Sequence, residues 1–211
     1  MHRQIPKDGT IKSATISKNP SNKYYISILV EQEIKQLSKS EFAVGIDLGL
    51  TDFAITSDGI KYPNHRYLKK SLNKLAKEQR RLSRKKLGSK NRNKQRVKVA
   101  RLHEKISNQR KDFLHKLSSE LINENQVICL EDLQVKEIQQ NKYLSQSVSD
   151  VGWYEFRRQL EYKGKWYGRT ISFVDKYYPS SQICSNCGNN TGKKNLGIRE
   201  FTCPHCGIHH D

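Results

Sequence analysis

The sequence lacks any long apolar run. Its 211 residues have a mean hydropathy of −0.83, and no segment approaches the roughly 20 apolar residues of a membrane span. The first residues, MHRQIPKDGTIKS, are not continuously apolar either, so no secretory signal is predicted. We therefore expect no membrane partner and a cytoplasmic location.

Acidic residues are scarce in one part of the chain. Between residues 61 and 111 there are 20 Lys and Arg against two acids, Glu78 and Glu104. The rest of the chain holds 19 bases and 19 acids, so the whole formal net charge of +18 lies in this stretch. A block of this kind is either a disordered tail or a face that binds a polyanion.

Alternating apolar residues predict several strands. Residues 10–17 and 24–31 form a hairpin around the turn-rich NPSNK, and the spans 42–48, 52–56, 125–133 and 170–175 predict further strands. The apolar run at 42–48 would also suit a buried helical segment. Its shortness and its neighbouring glycines, Gly45 and Gly49, favour a strand.

Leucine spacing predicts a long helical hairpin that carries the excess positive charge. Leucines recur at helical intervals from Leu68 to Leu82, Leu87-Gly88-Ser89 interrupts the pattern, and it resumes from Leu102 to Leu121. This regularity argues against a disordered tail, although a solvated charged face with no ligand remains an alternative. With a further helix at 153–168, the order of elements predicts an α/β sheet with an inserted helical arm.

Four of the five cysteines have metal-binding spacing. Two CxxC pairs separated by 15 residues predict a closed structural zinc site, formed by Cys184, Cys187, Cys203 and Cys206. The spacing disfavours four unrelated buried cysteines, and a redox site needs only one pair. Gly188 and Gly207 follow the second cysteines, where a turn requires positive φ. We expect His205, His209 and His210 to face the surface or nucleic acid, and Cys129 to be a small buried core residue.

Two carboxylates interrupt or end apolar strands. Asp47 lies within FAVGIDLGLTDFAIT, and Glu131 ends the apolar part of NQVICLEDL. A buried ionised carboxylate is costly unless a metal or a hydrogen-bond donor compensates it. Carboxylates converging from adjacent strands are the ligands of Mg²⁺ or Mn²⁺ in phosphodiester nucleases. A purely structural role, such as Asp47 capping a turn, is the alternative.

Together these segments resemble the TnpB family, also called OrfB, which is encoded by transposable elements and is related to the type V CRISPR nucleases. The resemblance runs through nearly the whole chain and includes GIDLGLTDFAITSDG, VICLEDL, WYEFRRQLEYKGKWYG, YYPSSQICSNCG and FTCPHCG. It implies an RNase H-like (RuvC) fold with a zinc ribbon, and an RNA-guided DNA endonuclease whose partners are guide RNA and target DNA. It also implies that Asp47 and Glu131 are catalytic.

The resemblance predicts how the chain divides into domains, and it indicates two differences from the family's usual sequence. Residues 1–40 correspond to part of a wedge-type β segment, 41–182 to the RuvC-like domain with the basic hairpin at about 66–123, and 183–211 to the zinc ribbon. Most of the family's N-terminal half is expected to be missing. Asp211 aligns with the first Asp of the family's D-R-D-x-N-A-A motif, so the third catalytic carboxylate is expected to be missing too, and weak or no cleavage is predicted.

Two functions follow from the sequence. The first is a transposon-associated, TnpB-type endonuclease fragment whose full-length relatives hydrolyse DNA with Mg²⁺ or Mn²⁺ and hold a structural zinc. The second is a catalytically inactive nucleic-acid-binding module or regulator derived from such a protein, whose binding would be salt-dependent and independent of Asp47.

Overall fold

The computed structural model describes residues 4–175, 178–179, 182–195 and 200–210. The chain divides into two compact units, Met1–Phe173 and Val174–Asp211, and each is described by itself. Among the described residues, no helix combines the length and the apolar character that crossing a membrane requires.

The first unit contains two sheets and five helices within its described residues. Its strands are β1 (Thr10–Lys18), β2 (Tyr24–Glu31), β3 (Ala43–Leu48), β4 (Asp52–Thr56), β5 (Lys61–Pro63), β6 (Val127–Glu131) and β7 (Thr170–Val174), the last ending one residue into the second unit. Its helices are α1 (Tyr67–Ser83), α2 (Lys90–Glu124), α3 (Val135–Gln140), α4 (Ser145–Val151) and α5 (Trp153–Tyr167).

A five-stranded mixed sheet with the order β5-β4-β3-β6-β7 forms the centre of this unit. Strand β3 pairs antiparallel with β4 and parallel with β6, in a register that places Ile46 beside Leu130. Alternate residues of these strands enter the core, where Phe53, Phe156, Ile128 and Leu160 are almost fully buried. The architecture is therefore α/β, as the order of elements predicted.

The connection between β3 and β6 includes the basic helical hairpin, defined here as α1 and α2. Ser89 accepts a hydrogen bond from the backbone N–H of Arg92 (3.2 Å) and so caps the start of α2. The Arg92 guanidinium donates to the carbonyls of Leu82 (2.8 Å) and Lys85 (3.1 Å). These groups close the turn in which the sequence predicted a break.

The base of the basic helical hairpin is held by a buried acid. Asp150 of α4 accepts hydrogen bonds from the N–H of Leu68 (3.0 Å), in the first turn of α1, and from Arg110 Nη2 of α2 (2.8 Å). A carboxylate at a helix N-terminus is favoured because the first N–H groups lack intrahelical acceptors. One side chain thus joins α1, α2 and α4.

The predicted hairpin, strands and long helices are confirmed, with ends shifted by one or two residues. Three short elements of this first unit were not predicted: β5, α3 and α4. The expectation that Cys129 is buried was wrong, because its side chain is only half-buried. In β6 the buried positions are Ile128 and Leu130, and Cys129 lies between them on the other face.

Candidate carboxylate and cysteine sites

Asp47 and Glu131 lie at the same end of two neighbouring parallel strands. The paired register of β3 and β6 ends at Ile46 and Leu130, and each carboxylate is the next residue on its strand. Neighbouring strands are about 4.8 Å apart, and residues in register face the same side of a sheet. The fold therefore brings the two predicted site residues together from positions far apart in the sequence.

The carboxylates face away from the buried side of β3 and β6. Val44, Ile46, Ile128 and Leu130 are buried, whereas Asp47 is exposed and Glu131 is half-buried. The apolar run around Asp47 suggested a buried carboxylate, and that suggestion was wrong because strand side chains alternate between faces. Asp47 is therefore accessible to a metal ion or substrate.

A hydrogen-bonded cluster follows Glu131 directly. Asp132 accepts a charge-assisted hydrogen bond from Arg157 Nη1 of α5. Arg157 Nε also donates to Glu161 (3.0 Å), and its guanidinium carbon lies 3.9 Å from the centroid of the Phe173 ring. These contacts tie the end of β6 to α5 and β7, so the backbone beside Glu131 is held on two sides.

The carboxylate pair has the right chemistry for a hard divalent cation. Carboxylate oxygens are the ligands that Mg²⁺ and Mn²⁺ prefer, and these ions retain waters when the protein supplies few ligands. Within the described part of the chain, no third metal-binding side chain joins Asp47 and Glu131 in a cluster. Asp211, the residue aligned with the family's next acidic motif, lies outside the described residues.

The four predicted cysteines form one cluster in the second unit. All four Sγ atoms lie within 4.8 Å of one another, and the Cys184–Cys206 and Cys187–Cys203 sulfur pairs are 3.6 and 3.8 Å apart. Zn–S bonds of about 2.3 Å in a tetrahedron separate the sulfurs by about 3.8 Å. The cluster therefore fits a tetrahedral metal ion such as zinc.

Two equivalent turns build this cluster. In each turn the glycine N–H donates to the first cysteine's carbonyl (2.9 Å), and both Gly188 (φ 69°) and Gly207 (φ 71°) have the predicted positive φ. A backbone hydrogen bond from Ile208 lowers the pKa of Cys206 to about 6, although burial opposes the shift. This favours the thiolate of Cys206, which is the form that binds metal. The pKa of Cys187 is instead raised to about 12, because a backbone hydrogen bond from Asn189 is outweighed by burial and by the three neighbouring thiols.

Two histidines of this unit lie at its surface. His205 and His209 are exposed, as expected, while the side chain of His210 lies outside the described residues. Strands β8 (Phe201–Thr202) and β9 (His209–His210) pair antiparallel around the second turn.

The basic helical hairpin presents a row of exposed cations. On α2, Lys94, Lys98, Arg101 and Lys105 recur at intervals of four, three and four residues, and all are exposed. In the part of the chain that the structure describes, none of these four forms an ion pair. The opposite face of α2 buries Val99 and Ile106, so this row is a solvated face of a packed helix.

A sequence profile described as a probable transposase, OrfB_IS605, matches residues 26–142, more than half of the chain. The chain belongs to this OrfB family. A second profile, described as a Cas12f1-like TNB domain, matches residues 153–211. The OrfB match covers β3, the basic helical hairpin and β6, and thus includes both Asp47 and Glu131.

Relatives of this OrfB chain carry names that agree with the family. It is 42% identical over 209 residues to a Streptomyces pristinaespiralis protein named "Putative RNA-guided DNA endonuclease", covering 99% of this chain and 52% of the relative. It is 36% identical over 211 residues to the Escherichia coli protein named "Putative RNA-guided DNA endonuclease InsQ", covering 92% of this chain and 52% of the relative. The chain thus spans about half the length of these curated relatives.

A solved structure shares the fold of this OrfB chain. The protein chain of a Cas12f1-sgRNA-target DNA complex superposes with a TM-score of 0.55 and 18% identity, covering 93% of this chain and 52% of that one. The likeness supports an α/β fold of the same kind.

Sequence reasoning did not identify the groups around Glu131. Trp153, Tyr154 and Arg157 of α5 line a cavity beside Glu131, but nothing in their spacing indicates which strand α5 packs against. The only sequence signal was Asp132, an unexplained second acid directly after Glu131.

Proposed function

We propose that this chain contributes the cleavage centre of a transposon-encoded, RNA-guided DNA endonuclease. In this proposal β3, β6 and the elements around them form an RNase H-like (RuvC) domain in which Asp47 and Glu131 are catalytic. The observation that carries the proposal is the adjacency of these two carboxylates at the ends of paired parallel strands. Membership of the OrfB family and the names of the relatives support it.

Asp47 and Glu131 would together hold Mg²⁺ or Mn²⁺ at the accessible end of the sheet. A bound divalent ion supplies positive charge that activates water and stabilises the leaving oxygen in phosphodiester hydrolysis. Asp47 contributes an exposed carboxylate and Glu131 a half-buried one. The Asp132–Arg157 contact fixes the backbone next to Glu131 and so orients its carboxylate.

The other parts have supporting roles in this proposal. The basic helical hairpin contacts the phosphates of guide RNA or of the RNA–DNA heteroduplex, which positions the nucleic acid without reading its sequence. The four cysteines hold a structural zinc in a ribbon, and residues 1–40 belong to a wedge-type β segment. The thiol-rich second unit suits a reducing cytoplasm.

Manganese binding tests the carboxylate site without requiring cleavage. We expect the 211-residue chain to bind Mn²⁺, and Asp47→Asn and Glu131→Gln each to weaken that binding at least tenfold. Electron paramagnetic resonance of free Mn²⁺ measures the affinity. The chain is first loaded with zinc at the cysteine cluster so that added Mn²⁺ reports on the carboxylates.

Asp58→Asn is the matched control for this experiment. Asp58 is also exposed, and it lies in the turn after β4 instead of at the strand ends. We expect Asp58→Asn to leave Mn²⁺ affinity unchanged. If neither Asp47→Asn nor Glu131→Gln reduced the affinity, the two carboxylates would be structural and the proposed cleavage centre would be wrong.

A further inference from the structure

A cavity of about 360 Å³ lies beside Glu131. Leu48, which directly follows Asp47, also lines it, whereas Asp47 itself does not, so the carboxylate of the pair that the cavity adjoins is Glu131. Its volume is near the lower end of the range of about 300–1,000 Å³ for small-molecule pockets. It is suited to one planar ring system, whereas a duplex is about 20 Å wide and could not enter it unopened.

The walls of this cavity combine apolar and aromatic side chains with the polar groups of Glu131, Asp132, Gln134 and Arg157. Leu130, Leu133 and Trp153 provide buried or half-buried apolar surface, and Tyr154 stands at the cavity with 68% of its surface exposed. Phe173 and Arg157 form the stacked pair already described. Aromatic side chains and stacked guanidinium groups are the surfaces on which nucleobases stack.

Trp153 has a buried polar group that lacks a partner among the described residues. It lines the cavity and is only 5% exposed, yet its indole Nε1–H has no hydrogen-bond acceptor in the described part of the chain. A buried indole N–H usually has a partner, since leaving it unpaired is costly. An acceptor on an incoming ligand would satisfy it, and every nucleobase carries such an acceptor on its edge.

We propose that this cavity binds one unpaired base of a DNA strand, next to the phosphodiester presented to Asp47 and Glu131. The base stacks on Tyr154 and accepts a hydrogen bond from Trp153 Nε1. This inference rests on the proposed function, in which the strand bound at the carboxylates is DNA. A base within a duplex reaches the cavity only after unpairing, so the pocket favours single-stranded DNA.

Photo-crosslinking tests the location of the base. A 20-nucleotide single-stranded DNA containing 5-iodouracil is irradiated with the full chain after zinc loading, with no Mg²⁺ or Mn²⁺ added. We expect mass spectrometry to find the crosslink on Tyr154 or Trp153. Crosslinks confined to other aromatic residues, such as Tyr24 of the β1–β2 hairpin, would overturn the proposal.

Affinity measurements test the contribution of stacking. We expect Tyr154→Ala to weaken binding of the single-stranded 20-mer about tenfold, from one lost base–aromatic stack. Trp153→Phe removes the N–H and should weaken it about fivefold. Neither variant should change the affinity for duplex DNA of the same length, which is held through phosphates. Circular dichroism verifies that each variant is folded.

Tyr143→Ala is the matched control, because Tyr143 is 93% exposed and does not line the cavity. We expect its single-strand affinity to equal that of the unmodified chain. If Tyr154→Ala and Trp153→Phe also had the single-strand affinity of the unmodified chain, the proposed base pocket would be wrong, independently of the result of the Mn²⁺ experiment. The crosslink could form at Tyr154 while Mn²⁺ binding was insensitive to Asp47→Asn and Glu131→Gln. That result would support the base pocket and contradict the proposed cleavage centre.

Discussion

Lys163 is a buried cation that has no carboxylate hydrogen-bond partner among the residues that the structure describes. Its Nζ donates to the His115 carbonyl (2.9 Å) and to the hydroxyls of Ser118 (2.7 Å) and Ser119 (2.8 Å). Burial lowers its pKa from the ordinary 10.5 to about 8. Between these two values the unfolded chain binds more protons than the folded chain, so stability must rise with pH across that interval.

This pKa shift predicts an alkaline stabilisation that depends on Lys163. Relative to Lys163→Met, the free energy of unfolding of the unmodified chain should rise by about 2–3 kcal/mol from below pH 8 to pH 10.5. Urea unfolding of both chains at several pH values measures the difference, and the comparison cancels the titration of other groups. A difference that stays constant with pH would show that Lys163 titrates normally.

At the residue scale, the sequence predicted the groups whose chemistry is local. The cysteines and their glycines were identified because a CxxC turn is formed within a few residues. Asp47 and Glu131 were found as polar interruptions of apolar strands. Trp153, Lys163 and Asp150 were not found, because their importance comes from elements packed on them and no short segment encodes that packing.

The β1–β2 hairpin is attached to α2 through one carboxylate. Glu104 accepts hydrogen bonds from Asn19 Nδ2 (2.8 Å) and Tyr25 Oη (2.7 Å) and pairs with Lys23 (3.0 Å). The hydrogen bond from Tyr25 is the largest of the effects that lower the pKa of Glu104 to about 2. Most other side chains of β1 and β2 are exposed, so this contact carries much of the attachment.

Glu104→Gln should therefore loosen the β1–β2 hairpin while leaving the five-stranded sheet intact. We expect faster amide hydrogen exchange in residues 10–31 and unchanged exchange in β3, β6 and α5, measured by mass spectrometry. In the unmodified chain the same loosening should develop as the pH falls from about 4.5 towards 2, because a depressed carboxylate pKa stabilises only above that interval.

Glu31→Gln provides the control for the hairpin. Glu31 pairs with Lys12 across the two strands and makes no described contact with α2. We expect exchange in residues 10–31 to change less in Glu31→Gln than in Glu104→Gln. Equal effects would indicate that hairpin pairing, and not its attachment to α2, controls the exchange.

At the element scale, the helices and strands that the sequence predicted are those whose apolar pattern extends over many residues. The basic helical hairpin was predicted because its leucines recur over many turns, and the strands because alternation persists for at least five residues. Strand β5 has three residues and α3 has six, which is too short for a period to be recognised. Tertiary packing, and not local preference, sets such short elements.

At the scale of the molecule, the charge is concentrated on one arm. Replacing Lys94, Lys98, Arg101 and Lys105 together by Ala should weaken binding to RNA and to duplex DNA alike. The slope of log affinity against log salt should become shallower by about 3, because each lost phosphate contact contributes about 0.7–0.9. Fluorescence anisotropy across a salt series measures both quantities.

Lys116→Ala controls for a simple loss of charge. Lys116 is exposed on the same helix but pairs with Asp112 (2.8 Å). We expect Lys116→Ala to leave the salt slope within experimental error of the unmodified chain. A quadruple variant with an unchanged slope would exclude the α2 row as the phosphate-contacting surface.

The second unit should depend on the metal proposed for its cysteine cluster. Its described residues contain only one two-stranded pair and one isolated bridge, between Ile183 and Asn190, so little else stabilises it. Chelation of zinc, or Cys203→Ser, should accelerate amide exchange across residues 182–195 and 200–210. Exchange in β3 and β6 should stay unchanged, and equal protection before and after chelation would show that the cysteines need no metal.

The pairing of β3 with β6 also has a consequence for protein synthesis. The ribosome completes β3 before it has made the basic helical hairpin, and Glu131 follows Asp47 by about 80 residues. At about 5–20 residues per second, the interval lasts roughly 4 to 16 s. During that time the basic helical hairpin is synthesised while the two carboxylates are still apart. Under the proposed function, the surface that contacts phosphates is therefore made before the cleavage centre can form.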